Sequence, residues 1–187
     1  MSEIKPQINT KSMLLKKLFD LICSFNKSVV FTKEENFLYA ADLQKLLEKY
    51  GCKVLDSQLM YLRPDEVRRH YPHIVGLPFY PSTQKQFDDY PVVVMKVRGR
   101  LKRILEAIGT KTDADLCAVG SFRKTRGKGK EHNAAHRTGS FWERFKEYPR
   151  FFGQDGYVIK YRKDTQRQHD DQLKLAKLLL KMNQIEP

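Results

Sequence analysis

Cysteine is scarce in this chain: Cys23, Cys52 and Cys117 make an odd number with no C-x-x-C spacing. That argues against a disulfide framework and a zinc knuckle, and for a reducing, cytoplasmic setting. Long apolar runs are missing too, since none approaches the roughly 20 residues that a membrane-spanning helix needs. The first eleven residues are polar and lack an h-region, which argues against a secretory signal. Glu3, their only acid, argues more weakly against a mitochondrial presequence. There are no repeats and no low-complexity tracts. Acidic residues are in deficit, 22 against 35 Lys and Arg, a formal charge of +13. Such an excess predicts attraction to polyanions such as nucleotides, RNA or acidic membrane surfaces, without choosing among them.

What is present is a globular composition. With 41% hydrophobic residues, eleven Phe and nine Tyr, the chain is too aromatic for a disordered one. Its 187 residues suit one full domain with terminal extensions. From Ser12 to Phe25 the apolar residues fall at helical spacing. Ser28 to Lys33 is a β-branched and aromatic run that reads as a strand. Tyr39, Leu43, Leu46, Leu47 and Tyr50 form the next helical stripe, with Gly51 as its C′ residue. A strand follows over Lys53 to Leu62, then a short helix from Pro64 to Tyr71. Leu77 to Pro81 reads as a loop displaying aromatics, and Pro91 to Val97 as the most strand-like run in the chain. Leu101 to Ile108 is a short helix and Gly109 to Asp113 a turn. Arg123 to Arg137, with six bases, one acid and two interleaved glycines, reads as a mobile cationic loop. Thr165 to Met182 carries Leu175, Leu178, Leu179 and Met182 at amphipathic-helix spacing, suited to docking on the core or on a second subunit.

Between the terminal helices the order is β-α-β-(α)-β-α-β, the split-βαβ order. The expected fold is therefore α+β, a ferredoxin-like βαββαβ sandwich with a four-stranded antiparallel sheet plus extra terminal helices. The expected boundaries are a helical extension at 1–27, a domain at 28–155, and a tail with a basic amphipathic helix at 156–187.

The stretch with most chemistry is Asn133-Ala134-Ala135-His136-Arg137-Thr138-Gly139-Ser140. Ser140 and Glu143 have capping-box spacing, and Phe141, Phe145 and Tyr148 follow on one face of the helix they open. His136 is thus expected in a loop entering a helix N-terminus, where anions are favoured. Taken alone, these eight residues fit a solvated basic loop at least as well.

Their surroundings change that balance. Asn133 and His136 keep an N-x-x-H spacing, Arg123 lies ten residues before Asn133, and Glu147 lies eleven after His136. Val30-Phe31-Thr32-Lys33 ends a strand on a lysine. His70-Tyr71, Pro78-Phe79-Tyr80 and Pro91-Val92-Val93 follow in order. Over about Ser28 to Phe152 this pattern resembles the nucleoside diphosphate kinases, with their N-x-x-H-[GA]-S-D-S, T-I-R-G, I-K-P-D and H-Y…R-P-F-F…G-P-V-V motifs. The resemblance implies a ping-pong phosphotransferase in which His136 carries the γ-phosphate and Glu147 fixes its ring. It implies Lys33, Tyr71, Arg123 and Asn133 around the phosphates and ribose, Thr112 beside them, and Phe79 stacked on the base. It also implies Mg2+ carried by the nucleotide, with no protein cage, nucleoside di- and triphosphates as partners, and a dimer-based homo-oligomer, possibly a hexamer. The departures are equally specific. Lys33-Glu34-Glu35 stands for K-P-D, Lys124-Thr125-Arg126 follows the T-I-R arginine, and Gly139 replaces the aspartate of the histidine motif. The family's phosphate-binding arginine falls near Ala107, with Arg103 one turn away. Thr138 keeps a hydroxyl two residues after the histidine. The alternative is a catalytically weakened protein of the same fold that binds nucleotide or RNA through its basic surface.

Overall fold

The computed structural model describes residues 26–129 and 132–184; the predicted helix over Ser12 to Phe25 lies outside them. Four strands form one antiparallel sheet: β1 (Lys27–Thr32), β2 (Lys53–Met60), β3 (Val92–Arg98) and β4 (Ala135–Arg137). They are ordered β2-β3-β1-β4. This is the ferredoxin-like arrangement: β1 lies beside β3 and β4 rather than beside β2, its neighbour in sequence, because helices make the crossovers.

β1 is central, and its residues from Ser28 to Thr32 are all buried, which is why it reads as a continuous rather than an alternating apolar run. Alternation assigns its side chains to two cores. Val30 joins Leu43 and Leu47 of α1 (Ala40–Lys49) and Ile104, Ala107 and Ile108 of α4 (Leu101–Ile108), the two crossover helices. Val29 and Phe31 face the other core, with Val67 of α2 (Pro64–His70) and Phe87 of α3 (Tyr80–Asp89). That core is closed by Phe151 of α6 (Phe141–Phe152) and by Tyr157, Val158 and Tyr161 of α7 (Tyr157–Lys163). Both faces of the sheet are therefore covered. The register between β2 and β3 shifts between Val54 and Asp56, which accounts for the imperfect alternation of that strand.

Several local expectations need correcting. The aromatic loop at 77–81 runs straight into α3, because Pro81 sits in its first turn, where a fixed φ and a missing N–H cost nothing. The cationic stretch is not a mobile loop throughout. Ser121 accepts a hydrogen bond from the Lys124 N–H and starts α5 (Phe122–Arg126), which buries Phe122 and Arg123. Arg126 lies 3.7 Å over the Tyr39 ring. His136 lies on β4 and not in the loop that enters α6. The Ser140–Glu143 capping box is formed, but the helix it opens buries Arg144, Glu147, Tyr148, Phe151 and Phe152, while Phe141 is exposed.

The C-terminal helix α8 (Thr165–Asn183) docks on its own domain, and does so through polar groups. Asp171, buried, accepts from the Tyr61 N–H at 3.1 Å and pairs with Arg63 at 3.0 Å. Arg167 makes two 2.8 Å hydrogen bonds to Glu66 and one of 2.7 Å to the Tyr61 carbonyl. The leucines that announced the helix contribute less: Leu179 is exposed and Leu175 half-buried.

Candidate active site

The register of two strands creates the site. Phe31 on β1 is directly opposite His136 on β4, so both side chains leave the sheet on one face. Their rings stack at 4.4 Å with an interplanar angle of 13°. Phe31 belongs to the core, so His136 is fixed from below and open from above, its side chain 16% exposed. The turn before it is bent by Ala134 at φ +61°, and the end of β1 by Glu34 at φ +55°. Both are left-handed conformations that non-glycine residues seldom take outside constrained sites. The Lys33 N–H bonds the Ala134 carbonyl at 2.8 Å and ties the two bends together.

Glu147, one turn inside the buried face of α6, takes His136 from one side. Its carboxylate is 3.0 Å from Nε2 of His136 and accepts from the Thr138 hydroxyl at 2.7 Å. The Thr138 oxygen in turn accepts from the Val29 N–H at 3.0 Å. Burial pushes the Glu147 carboxyl up, but His136, His70 and the Thr138 hydrogen bond outweigh it and bring the pKa down to about 2. An ionised Glu147 can only accept, so Nε2 of His136 carries the proton and Nδ1 the lone pair. Nδ1 is 3.4 Å from the Tyr71 hydroxyl. Burial pushes that phenol far up, so it stays a donor.

Above this pair is a cavity of about 770 Å³, the size of a small-molecule site. Lys33, Tyr71, Phe79, Thr112, Arg123, Asn133, His136 and Glu147 all line it. The eight residues come from well-separated parts of the chain between Lys33 and Glu147, and the fold brings them to one place. Phe79 is half-exposed at the start of α3. Lys33 and Arg123 are buried, and among the described residues neither has a carboxylate within ion-pair distance. Burial lowers the Lys33 pKa to about 8, against Glu34, which raises it, and with help from Arg123. Burial, reinforced by Arg137, brings Arg123 down to about 10. Two desolvated cations facing one cavity form a site for an anion. Arg123 is held in place by the Ala135 carbonyl, 2.7 Å from Nη2, and the Lys111 carbonyl, 2.6 Å from Nη1.

Sequence reasoning missed part of the wall. Arg137, Lys146 and Arg150 line the same cavity. Arg137 donates to the Gly109 and Thr110 carbonyls at 2.9 Å each. The signal for it was only its position next to His136, in a run already read as solvated. Arg103 does not substitute for the arginine missing at Ala107: it lies against Gly51 and Cys52, away from the cavity, and Ala107 is fully buried.

A family model for the nucleoside diphosphate kinases matches residues 36–157. The chain belongs to that family. Among curated relatives, a nucleoside diphosphate kinase of Thermobifida fusca is 28% identical over 107 residues, covering 57% of this chain and 79% of that protein. One of Hydrogenovibrio crunogenus is 28% identical over 110 residues, covering 58% and 77%. The fold is that of a nucleoside diphosphate kinase family protein from Babesia bovis, at a TM-score of 0.63 and 20% identity over 73% of this chain and 98% of the other. A halophilic nucleoside diphosphate kinase from Halobacterium salinarum in complex with CDP superposes with a TM-score of 0.61 at 23% identity, over 69% of this chain and 88% of that one. No helix among the described residues is long and apolar enough to cross a membrane.

Proposed function

We propose that this protein transfers the γ-phosphate of a nucleoside triphosphate to a nucleoside diphosphate through a phosphohistidine on His136. One observation carries the reading: Nε2 of His136 lies 3.0 Å from the buried Glu147 carboxylate, and His136 lines a cavity together with Lys33 and Arg123, which have no carboxylate within ion-pair distance among the described residues. In the forward half-reaction Nδ1 attacks the γ-phosphorus, the bond to the β,γ-bridging oxygen breaks, and the diphosphate leaves with that electron pair. Imidazolium charge that develops on the ring is stabilised by Glu147 without a second proton transfer. A second diphosphate reverses the step.

Transfer of this kind requires charge stabilisation more than covalent help. Lys33 and Arg123 supply fixed positive charge, Tyr71 a hydroxyl donor beside the attacking nitrogen, and Arg137 a cation in place of the one absent at Ala107. Asn133 and Thr112 serve as polar contacts to sugar and phosphate. Phe79 offers a base-stacking face that does not discriminate between bases. The two carboxylates lining the cavity are both committed, Glu143 to the helix cap and Glu147 to His136. This donor set fits magnesium that enters on the nucleotide phosphates and neutralises their oxygens, as part of the substrate. The same reading includes a dimer-based homo-oligomer and a cytoplasmic setting. RNA binding by a cationic loop has less behind it, because Arg123 and Arg126 are engaged within the fold.

Initial rates with ATP and a deoxynucleoside diphosphate test the scheme. Double-reciprocal plots at several fixed acceptor concentrations should be parallel, as a covalent intermediate requires. Intersecting lines would mean direct transfer between two bound nucleotides.

Lys33 adds a pH signature. The protonated amine holds phosphate, and its pKa in the free protein is about 8. kcat/KM, which reports free-enzyme ionisations, should therefore fall about tenfold per unit as pH rises above 8. A Lys33→Arg variant should lose this limb, whatever its absolute rate. A kcat/KM that is level from about pH 7 to 10 in the natural protein would remove Lys33 from the role.

A further inference from the structure

One buried group in the cavity wall has no place in this chemistry. His70, the last residue of α2, has a side chain only 2% exposed, and neither of its ring nitrogens has a hydrogen-bond partner among the described residues. Its ring is packed edge-on to Phe31, Tyr71, Phe151 and His136, with the His136 centroid 4.6 Å away. A neutral imidazole always has one N–H and one lone pair, and burying both without partners is costly. Here the unpartnered ring faces the His136–Glu147 pair: its Nε2 is 4.0 Å from the Glu147 carboxylate, itself 3.0 Å from Nε2 of His136.

Two imidazoles and one carboxylate, each offering a donor atom within 4.8 Å of the others, have the composition of a transition-metal centre. Ligands on a four-coordinate zinc stand roughly 3.3 Å apart, so side-chain rotations of an ångström or less close the set. The cavity leaves the fourth position open to water. We propose that His70, His136 and Glu147 form a binding site for a divalent transition metal such as zinc. Imidazole donors favour zinc over magnesium, so this site is distinct from the magnesium that travels with nucleotide.

The binding stands on geometry alone; its consequence rests on the proposed phosphohistidine chemistry. A metal on Nε2 of His136 replaces the proton there, and the neutral ring keeps its one proton on Nδ1. The lone pair that would attack phosphorus is then gone. Zinc thus holds the nucleophile in its unreactive tautomer; when the metal leaves, Nδ1 gives its proton to solvent, Nε2 takes one up, and the N–H facing Glu147 is restored.

Nucleotide-free protein titrated with Co2+ should develop the visible bands of a four-coordinate N/O centre. Calorimetry with Zn2+ should give one site per chain. His70→Phe keeps an aromatic ring in the packed position and removes both nitrogens; it should bind zinc at least about tenfold more weakly. Glu147→Gln should weaken binding as well, which keeps the test open if the first variant folds poorly. Absence of stoichiometric binding, a thiolate charge-transfer band showing that the cysteines hold the metal, or unchanged affinity in both variants would overturn the site. One equivalent of zinc added before ATP should suppress phosphoenzyme formation in the natural protein and not in His70→Phe. Equal suppression in both would show chelation of nucleotide and overturn the tautomer effect. If the metal-free protein takes no phosphate at all, the kinase reading fails while the metal-binding result stands.

Discussion

A His136→Ala variant is expected to lose turnover by at least about 10⁴-fold, because covalent transfer has no route without its nucleophile and remaining binding groups recover only part of the rate. The fold should survive. The imidazole covers Phe31 and donates to Glu147, so its removal opens a gap over a core ring and leaves a buried carboxylate one donor short. The cost is about 1–3 kcal/mol, read as a lower melting temperature in a chain that still unfolds cooperatively. Nucleotide affinity should change little, since Lys33, Arg123 and Phe79 are untouched. A coupled transfer assay beside a thermal melt separates the two effects. A variant that retains a tenth of the natural rate would place the phosphate elsewhere.

Glu147→Gln is expected to have the second-largest effect, a loss of about 10²- to 10⁴-fold in kcat. The side chain keeps its volume and its hydrogen bond to Thr138, but an amide can present N–H groups to Nε2 of His136. The ring then turns its lone pair away from the cavity, and no fixed negative charge supports the imidazolium. The same substitution has a stability signature. The folded-state pKa of Glu147 is about 2, below its ordinary 4.5, so its contribution is complete above 4.5 and is lost as pH falls through about 2. His70 acts over a higher range. Burial, and then His136, lower its pKa well below 6.5. The unfolded chain therefore takes up a proton below 6.5 that the folded chain refuses, and stability declines from there downward. The natural protein should lose stability from about pH 6.5 down to about 2, and the glutamine variant should lack the lower part. Identical acid-unfolding curves would contradict the assignment of that low pKa to Glu147.

How far the sequence alone reached depends on which force fixed each part. β1 and β3 were legible because both contribute to the two cores on either side of the sheet and read as runs rich in β-branched residues. The capping box before α6 was legible because it is local. The buried face of α6 was legible only in part: it carries Arg144 and Glu147 alongside Tyr148 and Phe151, whereas the apolar stripe of Phe141, Phe145 and Tyr148 includes Phe141, which is exposed, and Phe145, which is half-buried. Those two charges enter the core because Arg144 bonds Ser28 and the Gly99 carbonyl, and Glu147 bonds His136 and Thr138. These partners are at least nine residues away in sequence, and Ser28 and Gly99 are much farther. Helix α3 was missed for the opposite reason, since its polar run from Ser82 to Gln86 shows no stripe and only Tyr80 and Phe87 are buried. The eight candidate site residues were found by motif spacing, and the fold puts them on one cavity. Arg137 and His70 were beyond that method. One was counted as loop charge and the other passed as part of a motif, and their positions follow only from β4 pairing with β1 and α2 packing on Phe31.

Whether His136 carries the phosphate is decided by labelling the protein with ATP marked at the γ-phosphate. An acid-labile, base-stable phosphoryl group, up to one per chain, is expected on His136, discharged on addition of a nucleoside diphosphate. No label on the natural protein, or label that persists in His136→Ala, would contradict it.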